Sequence, residues 1–123
     1  METAIYIKTE LWNQLIQYHI KEGWKVTYKY DNFDVGIDFD LVILEKNGEE
    51  ILFGWDNWVE GELQCDTHRM TQIEKQFDQK FNKGTPENLK PEIIAQNRKW
   101  QLERKLNSKN ILDRVKMFLG LGN

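Results

Sequence analysis

Two pairs of carboxylates stand two residues apart, Asp38 with Asp40 and Glu60 with Glu62, and Asp66 and His68 follow the second pair closely. Residues two apart on an extended strand project to the same side. Each pair is therefore a twin set of oxygen donors of the kind Mg²⁺ accepts beside its waters, the basis of a metal-dependent hydrolase reading. The plainer reading is acids alternating with core positions on a wet strand face, and on that reading no metal or cofactor is expected. Nucleophilic chemistry has less support. Cys65 and His68 are three apart, but one ends an alternating run and the other falls in the first turn of a helical pattern. A buried structural cysteine is expected. His19 sits among apolar helix positions and reads as a core or boundary histidine. No Gly-rich phosphate loop, GxSxG elbow or HExxH pair is present.

The five tryptophans carry more information. Trp12 and Trp24 fall on expected core faces, whereas Trp55 and Trp58 flank Asp56-Asn57 beside the Asp38/Asp40 pair. Tryptophan is enriched at binding hot spots because it buries a large area with few rotatable bonds. The expected partner-binding surface is therefore acidic and aromatic: Asp38, Asp40, Trp55, Asp56, Trp58, Glu60 and Glu62. Charge along the chain agrees. Residues 1–66 hold fourteen acids against five lysines, and residues 67–123 hold twelve Lys and Arg against six acids. The first half suits a basic protein partner. The second offers Arg98, Lys99, Arg104, Lys105, Lys109, Arg114 and Lys116 as an alternative, nucleic-acid-binding face. Trp100, on a thinly apolar helix, is a candidate contact with a second copy or another partner.

The elements that must position these residues follow from periodicity. Leu11, Trp12, Leu15, Ile16, Tyr18 and Ile20 mark a helix from about Glu10 to Lys21, with Thr9 as its cap and Gly23 past its end. Thr3–Ile7 is a candidate short strand before it. Trp24, Val26, Tyr28 and Tyr30 then alternate with polar residues as one strand. Asn47-Gly48 between apolar runs signals a two-residue hairpin turn. Counting outward pairs Lys46 with Glu49, Leu44 with Ile51, Val42 with Phe53 and Asp40 with Trp55. The opposite face, with Ile37, Phe39, Leu41, Ile43, Leu52 and Gly54, is the one expected under the helices. Val59–Cys65 reads as a fourth strand, Gly61 marking a bulge or a close approach. Helices are expected at about Thr67–Asn82, from Pro91 to Leu106, and, after a break at Asn107–Asn110, from Ile111 to Leu119; Thr85-Pro86-Glu87 also reads as a helix start.

The stretch DLVILEKNGEEILFGWDN resembles the hairpin of PD-(D/E)xK nucleases, with Asp40 in the place of the first acid. The resemblance covers about twenty residues and fails at the catalytic positions, since the family pattern puts Gly54 and Asp56 where its second acid and lysine belong, so it is not adopted. The order helix, three strands, helix is also similar to double-stranded RNA-binding domains. Those place a lysine cluster at the start of the last helix, where this chain has Asp66-Thr67-His68-Arg69.

A length of 123 residues, 40% of them hydrophobic, allows one core without staples. One cysteine excludes an intramolecular disulfide. No apolar run approaches a membrane span, and the N-terminus lacks the pattern of a secretory signal, so a cytoplasmic protein is expected. The sequence thus points to an α+β domain ordered α-β-β-β-(β)-α-α-α. Residues 1–84 form an antiparallel meander with its helices, and residues 85–123 a basic helical extension. Its expected role is non-catalytic capture of a basic protein, in the manner of an inhibitor, immunity protein, chaperone or adaptor.

Overall fold

The computed structural model describes the backbone of residues 1–30 and 39–118, and the side chains of those residues apart from 107–118. The chain divides into two compact units, Met1–Lys90 and Pro91–Asn123.

The first unit is an α+β domain. Strand β1 (Glu2–Ile7) leads into helix α1 (Thr9–Lys21); strands β2 (Lys25–Lys29), β3 (Phe39–Lys46), β4 (Glu49–Asp56) and β5 (Glu60–Cys65) follow. Helix α2 (Thr67–Phe77) and the two-residue strand β6 (Asn82–Lys83) close the unit. All pairings are antiparallel, in the order β2-β3-β4-β5-β1-β6. The meander expected from β2 to β5 is present, and β1 extends it beyond β5.

The hairpin register follows the Asn47-Gly48 turn as counted: Leu44 opposes Ile51, Val42 opposes Phe53 and Asp40 opposes Trp55. Both turn residues have positive φ, 52° and 80°, which is what a type I′ turn requires. The choice of face is the reverse of the expectation. Val42, Leu44, Ile51, Phe53, Leu63 and Cys65 form one cluster with Trp12, Leu15 and Ile16 of α1 and Met70 and Ile73 of α2. The helices therefore cover the face that carries Asp40 and Trp55. On the other face Leu41, Ile43 and Leu52 are buried as well, and the segment after β6 lies against it. A methyl group on Gly54 would stand 3.0 Å from the side chains of both Asn88 and Leu89.

Gly61 explains which face the helices take. The place a Cβ would occupy lies 2.5 Å from Trp12 Cδ1 and 2.9 Å from the Ile7 carbonyl oxygen. The Trp12 ring fills that space, donates from Nε1 to the Glu62 carbonyl at 3.2 Å and meets Phe53 edge-on. The close approach expected at Gly61 is present, on the side of the indole.

Helix α2 is shorter than its apolar spacing suggests. Asp78 adopts the left-handed conformation, φ 50°, ψ 48°, and closes the helix at Phe77, a role in which aspartate is tolerated. Glu74 then accepts from the Phe81 amide and pairs with Lys83 at 2.9 Å, turning the chain into β6. The helix start expected at Thr85-Pro86-Glu87 does not form. Among the described residues the second unit holds one helix, α3 (Pro91–Phe118), 28 residues long. The break expected at Asn107–Asn110 is absent.

Candidate functional site

The end of the sheet where β4 runs into β5 collects most of the residues singled out above. Asp56 closes β4 and its Oδ1 accepts from the amides of Trp58, at 2.8 Å, and Val59, at 2.7 Å. This local bonding, typical of aspartate in turns, defines the backbone on which Trp58 sits. Trp58 is 90% exposed, the most exposed large hydrophobic side chain among the described residues. Glu60, with φ 57°, opens β5 at the same turn.

Glu60 also reaches the start of α1. Its Oε1 accepts from the Thr9 backbone amide at 3.3 Å and from the Thr9 hydroxyl at 3.1 Å. The Thr9 hydroxyl in turn accepts from Trp55 Nε1 at 2.9 Å. Lys8, not Thr9, occupies the cap position and its side chain makes no capping bond. A carboxylate supplied from β5 therefore answers an unpaired amide of the first helical turn and its positive dipole end. Trp55 is half-buried against the core, with its one donor engaged in this relay. It braces the helix instead of standing open, which corrects its expected place on an exposed surface.

Glu62 requires a larger correction. It is 1% exposed, on the sheet face opposite the helices. Its Oε2 accepts from the Glu87 amide at 2.7 Å, and its Oε1 from the amides of Asn88 and Leu89 at 2.9 and 3.0 Å. A buried carboxylate is tolerated where hydrogen bonds satisfy its oxygens, and here three backbone donors do so. Glu62 is a clasp for the segment leading to α3, with no oxygen on an open surface. Sequence reasoning missed this role, since the partners are main-chain groups 25 to 27 residues away.

Asp40 lies beside Trp55 at the same end of the sheet, half-buried, and its Oδ1 is sealed from solvent without a hydrogen-bond partner. Burial raises its pKa above the ordinary value, against the pull of Lys29 and of the Leu41 amide. Asp38 lies outside the described residues. No group of three or more His, Cys, Asp or Glu positioned to hold a metal ion occurs among the described residues. The described members of the two carboxylate pairs do not converge: Glu60 caps α1, Glu62 clasps a loop, and Asp40 lies near the start of β3. Cys65 is fully buried, its thiol pushed up to about 12 by desolvation and neighbouring acids, which keeps it from acting as a nucleophile.

On α3, Arg98, Lys99, Arg104 and Lys105 are exposed. Arg114 and Lys116 are carried by the same helix, and their side chains lie outside the described residues, as does that of Lys109. Trp100, Leu102 and Leu106 are exposed apolar residues of α3. No helix among the described residues is long and apolar enough to cross a membrane.

Neither a protein-family model, nor a curated protein, nor a solved structure matches the chain.

Proposed function

We propose that the protein is a non-catalytic binding module that captures a basic protein partner on the end of the sheet bearing the β4–β5 turn. The observation that carries this reading is Trp58, 90% exposed on a turn whose backbone Asp56 already holds with two hydrogen bonds. An indole burying roughly 200 Å² is worth up to about 5 kcal/mol at about 25 cal/mol per Å². Little ordering of the turn opposes that gain. Asp56 and Glu60 make the surroundings acidic, which favours a cationic surface and speeds its approach. The site is thus narrower than the sequence suggests, resting on Trp58, Asp56 and Glu60.

The test is comparative capture and surface-immobilised kinetics with the wild type and Trp58→Ser. A captured basic protein should lose at least about 30-fold in affinity with the variant, the hot-spot threshold of about 2 kcal/mol. Its association rate should fall as salt is raised. Equal affinity for wild type and Trp58→Ser refutes the reading.

A second reading is favoured by the exposure of Arg98, Lys99, Arg104 and Lys105 along one 28-residue helix. It is contact with a nucleic-acid backbone, which must weaken steeply with salt. Absence of binding to DNA or RNA at low salt removes it.

A further inference from the structure

Between the C-terminal half of α1 and helix α2 lies a groove of about 390 Å³, walled by Tyr18, His19, Arg69, Gln72, Lys75 and Gln76. It is separate from the β4–β5 turn. His19 is 3% exposed, and its Nδ1 lies 2.6 Å from the Leu15 carbonyl oxygen. A carbonyl only accepts, so Nδ1 carries the proton, and in the neutral ring Nε2 keeps a bare lone pair. Tyr18 and Trp24 meet the ring edge-on at 5.2 and 5.7 Å and hold it in this orientation.

None of the described hydrogen bonds reaches Nε2. The atom is not sealed either: the unpartnered, fully enclosed side-chain atoms among the described residues are Asp40 Oδ1 and Asn88 Nδ2. Nε2 therefore keeps an accessible side, and the groove is the space that His19 lines. Burial lowers the His19 pKa below its ordinary 6.5, so at neutral pH the lone pair is available.

Of the other walls, Arg69 and Lys75 only donate, Tyr18, Gln72 and Gln76 can donate or accept, and Ile73 is apolar. Arg69 uses Nε and Nη2 on Glu49 and Nη1 on Gln72, which leaves one N–H on each terminal nitrogen. The Lys75 ammonium has no described partner, and Tyr18 contributes a hydroxyl. A buried acceptor held in one orientation beside two cationic donors is complementary to a ligand that is negative and also carries a proton to give. A bare anion offers nothing to the acceptor, and a neutral alcohol leaves the Lys75 ammonium unanswered, the Arg69 charge being already paired with Glu49.

We propose that this groove binds a small protonated oxyanion of the hydrogen phosphate type, with His19 Nε2 accepting its O–H and Lys75 and Arg69 facing its charged oxygens. Inorganic phosphate is the probe and sulfate its control, since sulfate matches it in size and tetrahedral shape but has no proton at neutral pH.

The experiment is a long-range ¹H–¹⁵N correlation of the histidine rings in the full chain, titrated with each anion at matched ionic strength. Phosphate should move the His19 Nε2 resonance saturably and sulfate should leave it in place. Lys75→Gln, at an exposed position, should weaken the phosphate response about tenfold, the worth of one charge-assisted hydrogen bond. An Nε2 resonance that stays fixed in tens of millimolar phosphate overturns the proposal. So does an equal response to sulfate, which identifies attraction to cations alone. Either outcome leaves the reading of the β4–β5 turn untouched.

Discussion

Replacing Glu62 by glutamine preserves the side chain's shape and removes its charge. In the wild type Oε2 receives one backbone amide and Oε1 two, at 2.7, 2.9 and 3.0 Å. Whichever way the new amide turns, its NH₂ faces at least one backbone N–H, so donor meets donor. Hydrogen bonds to a charged acceptor contribute about 1.5–3 kcal/mol and neutral ones about 0.5–1.5. Losing one bond and weakening the other two by about 1 kcal/mol each gives a cost of about 3–5 kcal/mol. That is a large share of the roughly 5–15 kcal/mol that holds a domain folded. Urea unfolding followed by tryptophan fluorescence should show the loss as a lower midpoint, with a fall in Tm on the order of 10 °C. Hydrogen exchange supplies the local readout, since the Asn88 and Leu89 amides should be protected in the wild type and exposed first in the variant. A Glu62→Gln protein within about 0.5 kcal/mol of wild type, the scale of an ordinary surface change, refutes the clasp. Free exchange at both amides in the wild type refutes it as well.

Gly61→Ala places a methyl group 2.5 Å from Trp12 Cδ1 and 2.9 Å from the Ile7 carbonyl. It should cost about 1–3 kcal/mol or more as the indole is forced aside, readable by denaturation; an unchanged midpoint would show that Trp12 does not fill that space. Glu49, paired with Arg69 at 2.7 Å, has its pKa held below the ordinary 4.5 chiefly by the Arg69 hydrogen bond. A depressed folded-state pKa adds stability above about pH 4.5 that disappears as pH falls through the folded value. Unfolding midpoints measured from pH 6 down to pH 3 should therefore fall more steeply for the wild type than for Arg69→Gln, and parallel curves would contradict this. The Cys65 thiol, buried and raised to about 12, should stay silent to a thiol reagent until the protein is denatured. Rapid labelling of the native chain would show the β5 end to be open.

The hairpin register was legible because Asn47-Gly48 permits one tight turn and every pair then follows by counting. The covered face was not. Val42, Leu44, Ile51 and Phe53 stand on one side and Leu41, Ile43 and Leu52 on the other, and both sets are buried, so alternation carries no preference between them. What decides is Trp12 meeting Gly61, a contact across 49 positions that only the paired strands create. The glycine itself was the available signal, because a strand residue without a side chain marks the face where something large comes close. The Asn107–Asn110 break failed for a simpler reason. Asparagine and serine cost a helix only about 0.5 kcal/mol each, too little to end one that continues on both sides. At the site, Trp58 and Asp56 could be read from turn chemistry, and Trp55 and Glu62 could not. The register of Trp55 opposite Asp40 and the spacing of Glu62 from Glu60 said open face, while their partners, a threonine hydroxyl and three amides, come from distant segments.

The outer strand β2 sets a limit on how this sheet can grow. It pairs with β3 on one side, and Lys25 and Lys29 stand at its two ends, both exposed. A second copy adding edge to edge, antiparallel about Thr27, would bring Lys25 of each chain opposite Lys29 of the other. Two such encounters of like charge at cross-strand distance oppose the junction, and on this flank the ammonium groups act as end-stops against fibre-like stacking.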